Sequence, residues 1–218
     1  MIPKPDPSLT EEQIAKNNAE LDERLRRERD EHFCKVTGVP QQHWSRTGLD
    51  WSGAWGQRTK KLIERSRADP RMMVALISRR NGSGKTQCAV EIIRDASKRG
   101  VPSVYVRAME LFMALKFSSA ESFDSPKLAK FSRVGLLVID EVQINTASWA
   151  KAGEEFAQDM LTTLIDSRYG AGKSTVIIGN CDAEGLLNLI GSNAHSRLTE
   201  CGGISIFESD NFREKKGK

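Results

Sequence analysis

Cysteine is sparse in this chain, long apolar runs are missing, and nothing at the start reads as a leader. Among 218 residues there are four cysteines, Cys34, Cys88, Cys181 and Cys201, with no Cys-x-x-Cys pair. Scattered in this way they argue against a disulfide framework and against a zinc knuckle. His32, Cys34 and His43 lie close together in sequence, but a fourth ligand is missing nearby, so zinc is not expected there either. No run of 18 apolar residues occurs, which removes the expectation of a membrane-spanning helix. The opening "MIPKPDPSLTEEQ" is polar and proline-rich, without the apolar centre of a signal peptide, and the expected location is the cytoplasm.

What is present fits one globular domain with an extension, or two small domains. Hydrophobic residues make up 39% and charged residues 28%, ordinary values for a soluble protein with a buried core. The net charge of +4 is unevenly spread. Residues 1–35 carry 7 Lys/Arg against 9 Asp/Glu, leaving 26 against 20 for the rest. The basic excess on the main body permits a polyanionic partner without requiring one.

Ser8 to His32 reads as one helix, with a capping box available at Ser8/Glu11 or at Thr10/Gln13. Its large apolar residues, Ile14, Leu21 and Leu25, form a stripe too narrow to face a deep core. Such a stripe suits a seam against a partner helix, a loosely docked helix or a solvated one. A boundary segment follows, with Trp44, Trp51 and Trp55, too aromatic for a free linker and expected to pack on the main domain. From Met72 onward strands and helices alternate. "MMVALIS", "PSVYVRA", "VGLLVID", "STVIIGN" and "GISIFE" are strand candidates; "TQCAVEIIRDASKRG", "MELFMALKF", "GEEFAQDMLTTLIDSRY", "AEGLLNLIG" and "NAHSRLTE" are helical. Strands apolar on both faces predict an α/β fold with a five-stranded, mostly parallel sheet covered on both sides. The domain expectation is a helical extension over 1–36 and a main domain over 37–218.

Two stretches carry the letters of a phosphate-binding loop: "NGSGKT", Asn81 to Thr86, and "GAGKST", Gly170 to Thr175. The chemistry needs a strand before the loop and a helix after it, so that free N–H groups at the helix start face the phosphates. The first stretch has that order. The second has helix, turn, strand, and reads as a helix C-cap with an exposed Lys173. In the first, Asn81, Gly82, Ser83, Gly84, Lys85, Thr86 and Gln87 are the nucleotide-binding candidates. The glycines let the backbone approach, Lys85 reaches the β and γ phosphates, and Thr86 can ligate Mg²⁺. Arg79 stands where the pattern has its first glycine, a departure expected to tighten or distort the loop.

"LLVIDE" puts Asp140 and Glu141 at the end of a buried strand, 55 residues beyond Lys85 with one strand between. Asp140 can hold Mg²⁺, and Glu141 can polarise an attacking water. Asn180, ending "VIIGN", can touch the same water or the γ-phosphate. "KFSSAESFDSPKLAKF" interleaves Lys116, Lys127 and Lys130 with Phe117, Phe123 and Phe131. That mixture suits stacking and charge neutralisation on single-stranded DNA, and equally an amphipathic helix with its phenylalanines turned inward.

"LLVIDEVQ", "MLTTLIDSRYGAGKSTVIIGN" and "LLNLIGSNAHSRLTECGGISIF" resemble the AAA+ helicase loaders of the DnaC type, a clan that includes the transposition helper IstB. "TGVPQQHW" resembles the segment preceding the ATPase core there. The resemblance covers roughly 37–213. It implies a P-loop AAA+ core without a C-terminal lid domain. Lys85 and Thr86 become Walker A residues, Asp140 and Glu141 Walker B, Asn180 sensor 1, and Arg197 an arginine finger acting on a neighbouring subunit's ATP. Asn193 stands where relatives often carry a second arginine. The implied activity is slow ATP hydrolysis coupled to loading or remodelling a replicative helicase, with ATP and Mg²⁺ as cofactors. The implied partners are the helicase, single-stranded DNA and further copies of the chain; a phage or mobile-element origin suits the compact build. The alternatives are a transposition helper and a non-catalytic nucleotide-binding adaptor.

Overall fold

A computed structural model describes residues 10–116, 126–142 and 153–208. The first helix, α1 (Glu11–Thr37), starts at the second of the two capping boxes. The Thr10 backbone N–H donates to Gln13 Oε1 at 2.9 Å, and Gln13 N–H returns a bond to Thr10 Oγ1 at 3.3 Å. Ser8 lies outside the described residues. The helix runs past the expected stop at His32 to Gly38, which takes the left-handed conformation (φ 80°) that ends helices cheaply only for glycine. Leu21, Leu25 and Val36 stay exposed on it. Its last turns do dock: Phe33 stacks on Trp44 with ring centroids 4.2 Å apart, and Trp44 Nε1 donates to Asp30 Oδ1 at 2.8 Å.

The remaining elements are α2 (Gln41–Trp44), α3 (Ala54–Ala68), β1 (Met73–Ile77), α4 (Lys85–Lys98), β2 (Ser103–Arg107), α5 (Ala108–Lys116), α6 (Pro126–Arg133), β3 (Leu136–Asp140), α7 (Glu154–Gly170), β4 (Ser174–Gly179), α8 (Ala183–Cys201) and β5 (Gly202–Ile206). The five strands form one sheet in the order β2-β3-β4-β1-β5, and every pairing is parallel. The two short helices expected at the end of the chain meet within α8 at a kink, Gly191, whose φ of 74° and ψ of 166° no helix accommodates.

Alternate residues of β1 feed two cores. Met73, Ala75 and Ile77 pack with Leu111 and Phe112 of α5, Leu161 and Ile165 of α7, and Leu198 of α8. Val74 and Leu76 point the other way, toward Trp55 and Leu62 of α3 and Ala89 and Ile92 of α4. A strand sandwiched in this way has no polar face, which is why its sequence reads as an unbroken apolar run. Arg168 of α7 is the largest of the fully buried side chains. Fully buried, it donates to the carbonyls of Phe131 (2.6 Å) and Val134 (3.0 Å) and to Thr175 Oγ1 (2.9 Å), tying α6, β3 and β4 together. Burial pushes its guanidinium down to about 10.

The strand order fixes the site. β4 lies between β1 and β3, so the loop leaving β1, the acidic end of β3 and the end of β4 converge at the carboxyl edge of the sheet. Open parallel sheets bind ligands at such an edge.

Candidate nucleotide site

The loop after β1 turns on two glycines in the left-handed region, Gly82 (φ 73°) and Gly84 (φ 88°). Gly84 is also the N-cap of α4, and no side chain caps that end. The first N–H groups of α4 are thus available to an anion, and the helix dipole adds positive potential there. Lys85 is buried, its Nζ 3.1 Å from both Arg80 O and Ser83 Oγ, so the loop curls around the ammonium. A cavity of about 590 Å³ opens over the loop, bounded also by Asp140, Glu141, Gly179 and Asn180.

Arg79 lines the cavity, and its exposed side chain forms an ion pair with Asp182, the N-cap of α8. The Gly185 N–H, then Arg79, hold the Asp182 carboxyl below its usual range. Glu141 is, among the described residues, the one non-glycine with a positive φ. Position 79 therefore makes no conformational demand that only glycine meets.

On the facing strand, Asp140 is buried and its carboxylate is held on both oxygens. Thr86 Oγ1 donates to Oδ2 at 2.9 Å, Tyr105 OH donates to the same oxygen at 2.6 Å, and Glu141 N–H donates to Oδ1 at 2.6 Å. Burial and the Asp140 charge raise the Tyr105 phenol well above its ordinary range, so it remains a donor. Glu141 is exposed at the cavity, with a φ of 60° that costs on the order of 1–3 kcal/mol and marks a backbone held in place by its surroundings. Asn180 Nδ2 donates to Asn81 Oδ1 at 2.8 Å, joining the end of β4 to the loop. Gly179 before it is needed for room: a Cβ there would sit 2.7 Å from Val142 O.

A family profile described as "IstB-like ATP binding protein" matches residues 17–191. The chain belongs to the IstB-like ATP-binding family. Its five-stranded parallel sheet with helices matches the AAA+ fold. Among curated relatives, the replicative helicase loader DnaC of Escherichia coli (strain K12) is 24% identical over 143 residues, 64% of this chain and 56% of that protein. DnaC of Buchnera aphidicola subsp. Schizaphis graminum is 27% identical over the same shares. The chain thus spans little more than half the length of these curated relatives. Solved structures agree on the fold. A crystal structure of the DnaC helicase loader superposes with a TM-score of 0.62 at 20% identity, covering 73% of this chain and 94% of that one. DnaI gives 0.60 at 20% identity, with 78% and 95% covered. AMPPCP-bound DnaA from Aquifex aeolicus gives 0.56 at 20% identity, with 73% and 48% covered.

The second stretch with loop letters, Gly170 to Thr175, closes α7 and opens β4. Gly172 (φ 63°) makes the turn, Lys173 is half-buried rather than exposed, and Thr175 is an inward strand residue bonded to Arg168. Arg197 does not line the nucleotide cavity. It pairs with Asp166 of α7 and lies 5.1 Å from the centre of the Tyr169 ring. Phe117 and Phe123 lie outside the described residues. Lys116 ends α5, Lys127 belongs to α6, and Lys130 is exposed on α6. Phe131 is buried in the core, which removes it from any stacking surface.

Two parts of the site escaped the sequence reading, the wall over the loop and Tyr105. Arg46 to Asp50 and Trp55 form the cavity wall opposite the phosphate loop, and Trp55 Nε1 donates to Gly84 O at 3.0 Å. The signal was the aromatic density of that segment, read only as packing. Gln87 points back toward α2: its Nε2 bonds His43 O at 3.1 Å and Glu91 Oε1 at 2.9 Å. Tyr105 carried no signal, since a tyrosine inside a strand is ordinary.

Proposed function

We propose that the protein is an ATP-dependent loader or remodeller of a replicative DNA helicase. The observation that carries the reading is the uncapped start of α4 above a glycine-turned loop, with Thr86 and Asp140 in direct contact beside it. Lys85 and the α4 N–H groups would hold the phosphates of ATP. Thr86 and Asp140 fit Mg²⁺, because the hydroxyl can give its proton to the carboxylate and a lone pair to the cation; bound there, Mg²⁺ would neutralise charge on the β and γ phosphates. Glu141 takes the proton of the attacking water as its oxygen bonds to γ-phosphorus and the bond to the β–γ bridging oxygen breaks. Asn180 orients that water. Arg197 acts across an interface between copies of the chain, which requires release from Asp166.

Leu21, Leu25 and Val36 on α1, exposed among the described residues, support a helicase grip, since an exposed apolar stripe is what a helix seam presents. The contacts from Asp30 and Phe33 through Trp44, and from His43 to Gln87, connect that helix to the phosphate loop. Lys130, with the segment 116–127, supports contact with single-stranded DNA. Matching the IstB-like profile over 17–191 favours a second reading, a transposition helper acting on duplex DNA.

Capture of a purified hexameric replicative helicase on the immobilised full chain tests the first reading. Retention is expected to depend on ATP and to fall when Leu21 and Leu25 are both changed to Glu, with ATP affinity unchanged. Helicase ignored in every nucleotide state, with preference for duplex over single-stranded DNA, would favour the transposition reading instead.

A further inference from the structure

Tyr105 lies on β2, an edge strand, in register with Val138 of β3, two residues before the position of Asp140. Its ring packs in the core shared with α3 and α4, and its hydroxyl reaches the one buried carboxylate at the nucleotide site. The three donors on Asp140 are disposed unequally. Oδ1 takes the Glu141 N–H, a backbone group that cannot leave. Oδ2 takes Thr86 and Tyr105. Thr86 sits on α4, at its first turn, and with nucleotide bound its hydroxyl would be shared between the carboxylate and the accompanying cation. Tyr105 has no such second duty. Its strand is also held from the other side, where a Cβ on Gly38, the C-cap of α1, would meet Tyr105 O at 2.4 Å.

We infer that Tyr105 is a positioning residue that fixes the Asp140 carboxylate for divalent-cation binding. The inference rests on the nucleotide-site reading above. Without the phenol, Oδ2 keeps only Thr86, and the carboxylate is free to turn about its last bond whenever Thr86 is drawn toward a cation. Hydrogen bonds to ligating carboxylates commonly tune cation affinity by about 10–100-fold. A tyrosine serving merely as core filler predicts otherwise: its loss would lower stability and leave the cation requirement alone.

Tyr105→Phe separates the two, because it keeps the ring and its packing. Binding of a fluorescent ATP analogue is measured first in chelator, then across a Mg²⁺ titration. Mn²⁺ uptake by the nucleotide-bound protein is followed in parallel by the loss of the free-ion paramagnetic resonance signal. The expected result is unchanged cation-free nucleotide affinity with a roughly tenfold rise in the Mg²⁺ or Mn²⁺ concentration needed for half-saturation. An unaltered cation requirement overturns the inference. So does an equal loss of affinity with and without cation, which marks Tyr105 as structural. If the unsubstituted protein binds no nucleotide in chelator or in Mg²⁺, the nucleotide-site reading itself fails, and that outcome is visible before the variant is tested.

Discussion

Two loops in this molecule spell nearly the same word, and only one encloses a cavity. At Asn81 to Thr86 the chain leaves a strand and enters a helix; at Gly170 to Thr175 it leaves a helix and enters a strand. In the first, the lysine is buried and ringed by the loop's own oxygens. In the second, Lys173 N–H closes the turn onto Arg168 O, and the neighbouring Ser174 and Thr175 are consumed by β4. Glycine, lysine and hydroxyl residues make an anion site only where a helix begins, because that is where backbone N–H groups are left over. At a helix end the leftover groups are carbonyls, and an anion is repelled.

The comparison can be broken or sharpened by substitution. The largest effect is expected at the partner of the first loop: Glu141→Gln keeps ATP binding but slows turnover about 10²–10⁴-fold, read by phosphate release. Wild-type turnover would leave Glu141 as a strand-end residue only. Next comes Lys85→Ala, expected to weaken ATP by about 100-fold, since a buried charge contact of this kind is worth several kcal/mol. Equal weakening by Lys173→Ala, titrated with the same fluorescent analogue, would dissolve the distinction between the loops.

The second loop has its own sensitive residue, and the sensitivity lies in folding. Arg168→Leu strands the Phe131 and Val134 carbonyls in the core, and we expect a loss of about 2 kcal/mol, read from denaturant midpoints. A neutral Arg168→Leu would show that those carbonyls find other partners. The smallest effect is Lys173→Ala itself, expected within about 0.5 kcal/mol in stability and without consequence for nucleotide affinity.

The sequence carried the sheet and the phosphate loop because both are written locally. An apolar run such as "LLVID" has one comfortable environment, and a strand–glycine–lysine–helix order has one polarity. Arg79 shows the limit of matching letters: its backbone needs no left-handed conformation, and its side chain pairs with Asp182 beside the cavity. That the segment around Arg46 to Asp50 walls the cavity, and does not merely pack on the domain, was not legible, because which segment lies over a cavity depends on how an extension folds back. Tyr105 and Arg168 were invisible for the same reason; their partners lie 35 and 37 residues away in sequence.

The sequence alone therefore determined which segments are strands, which glycine–lysine loop stands between a strand and a helix, and which residue types meet there. Those properties follow from side-chain volume, hydrophobic period and the direction of the backbone through a turn. Tertiary structure decided the rest. Placing β4 between β1 and β3 brought Asn180 to Asn81 and Thr86 to Asp140. The same packing put Tyr105 on that carboxylate and held Arg197 against Asp166. Such pairings are fixed by strand order and packing between distant elements, and no local pattern encodes them.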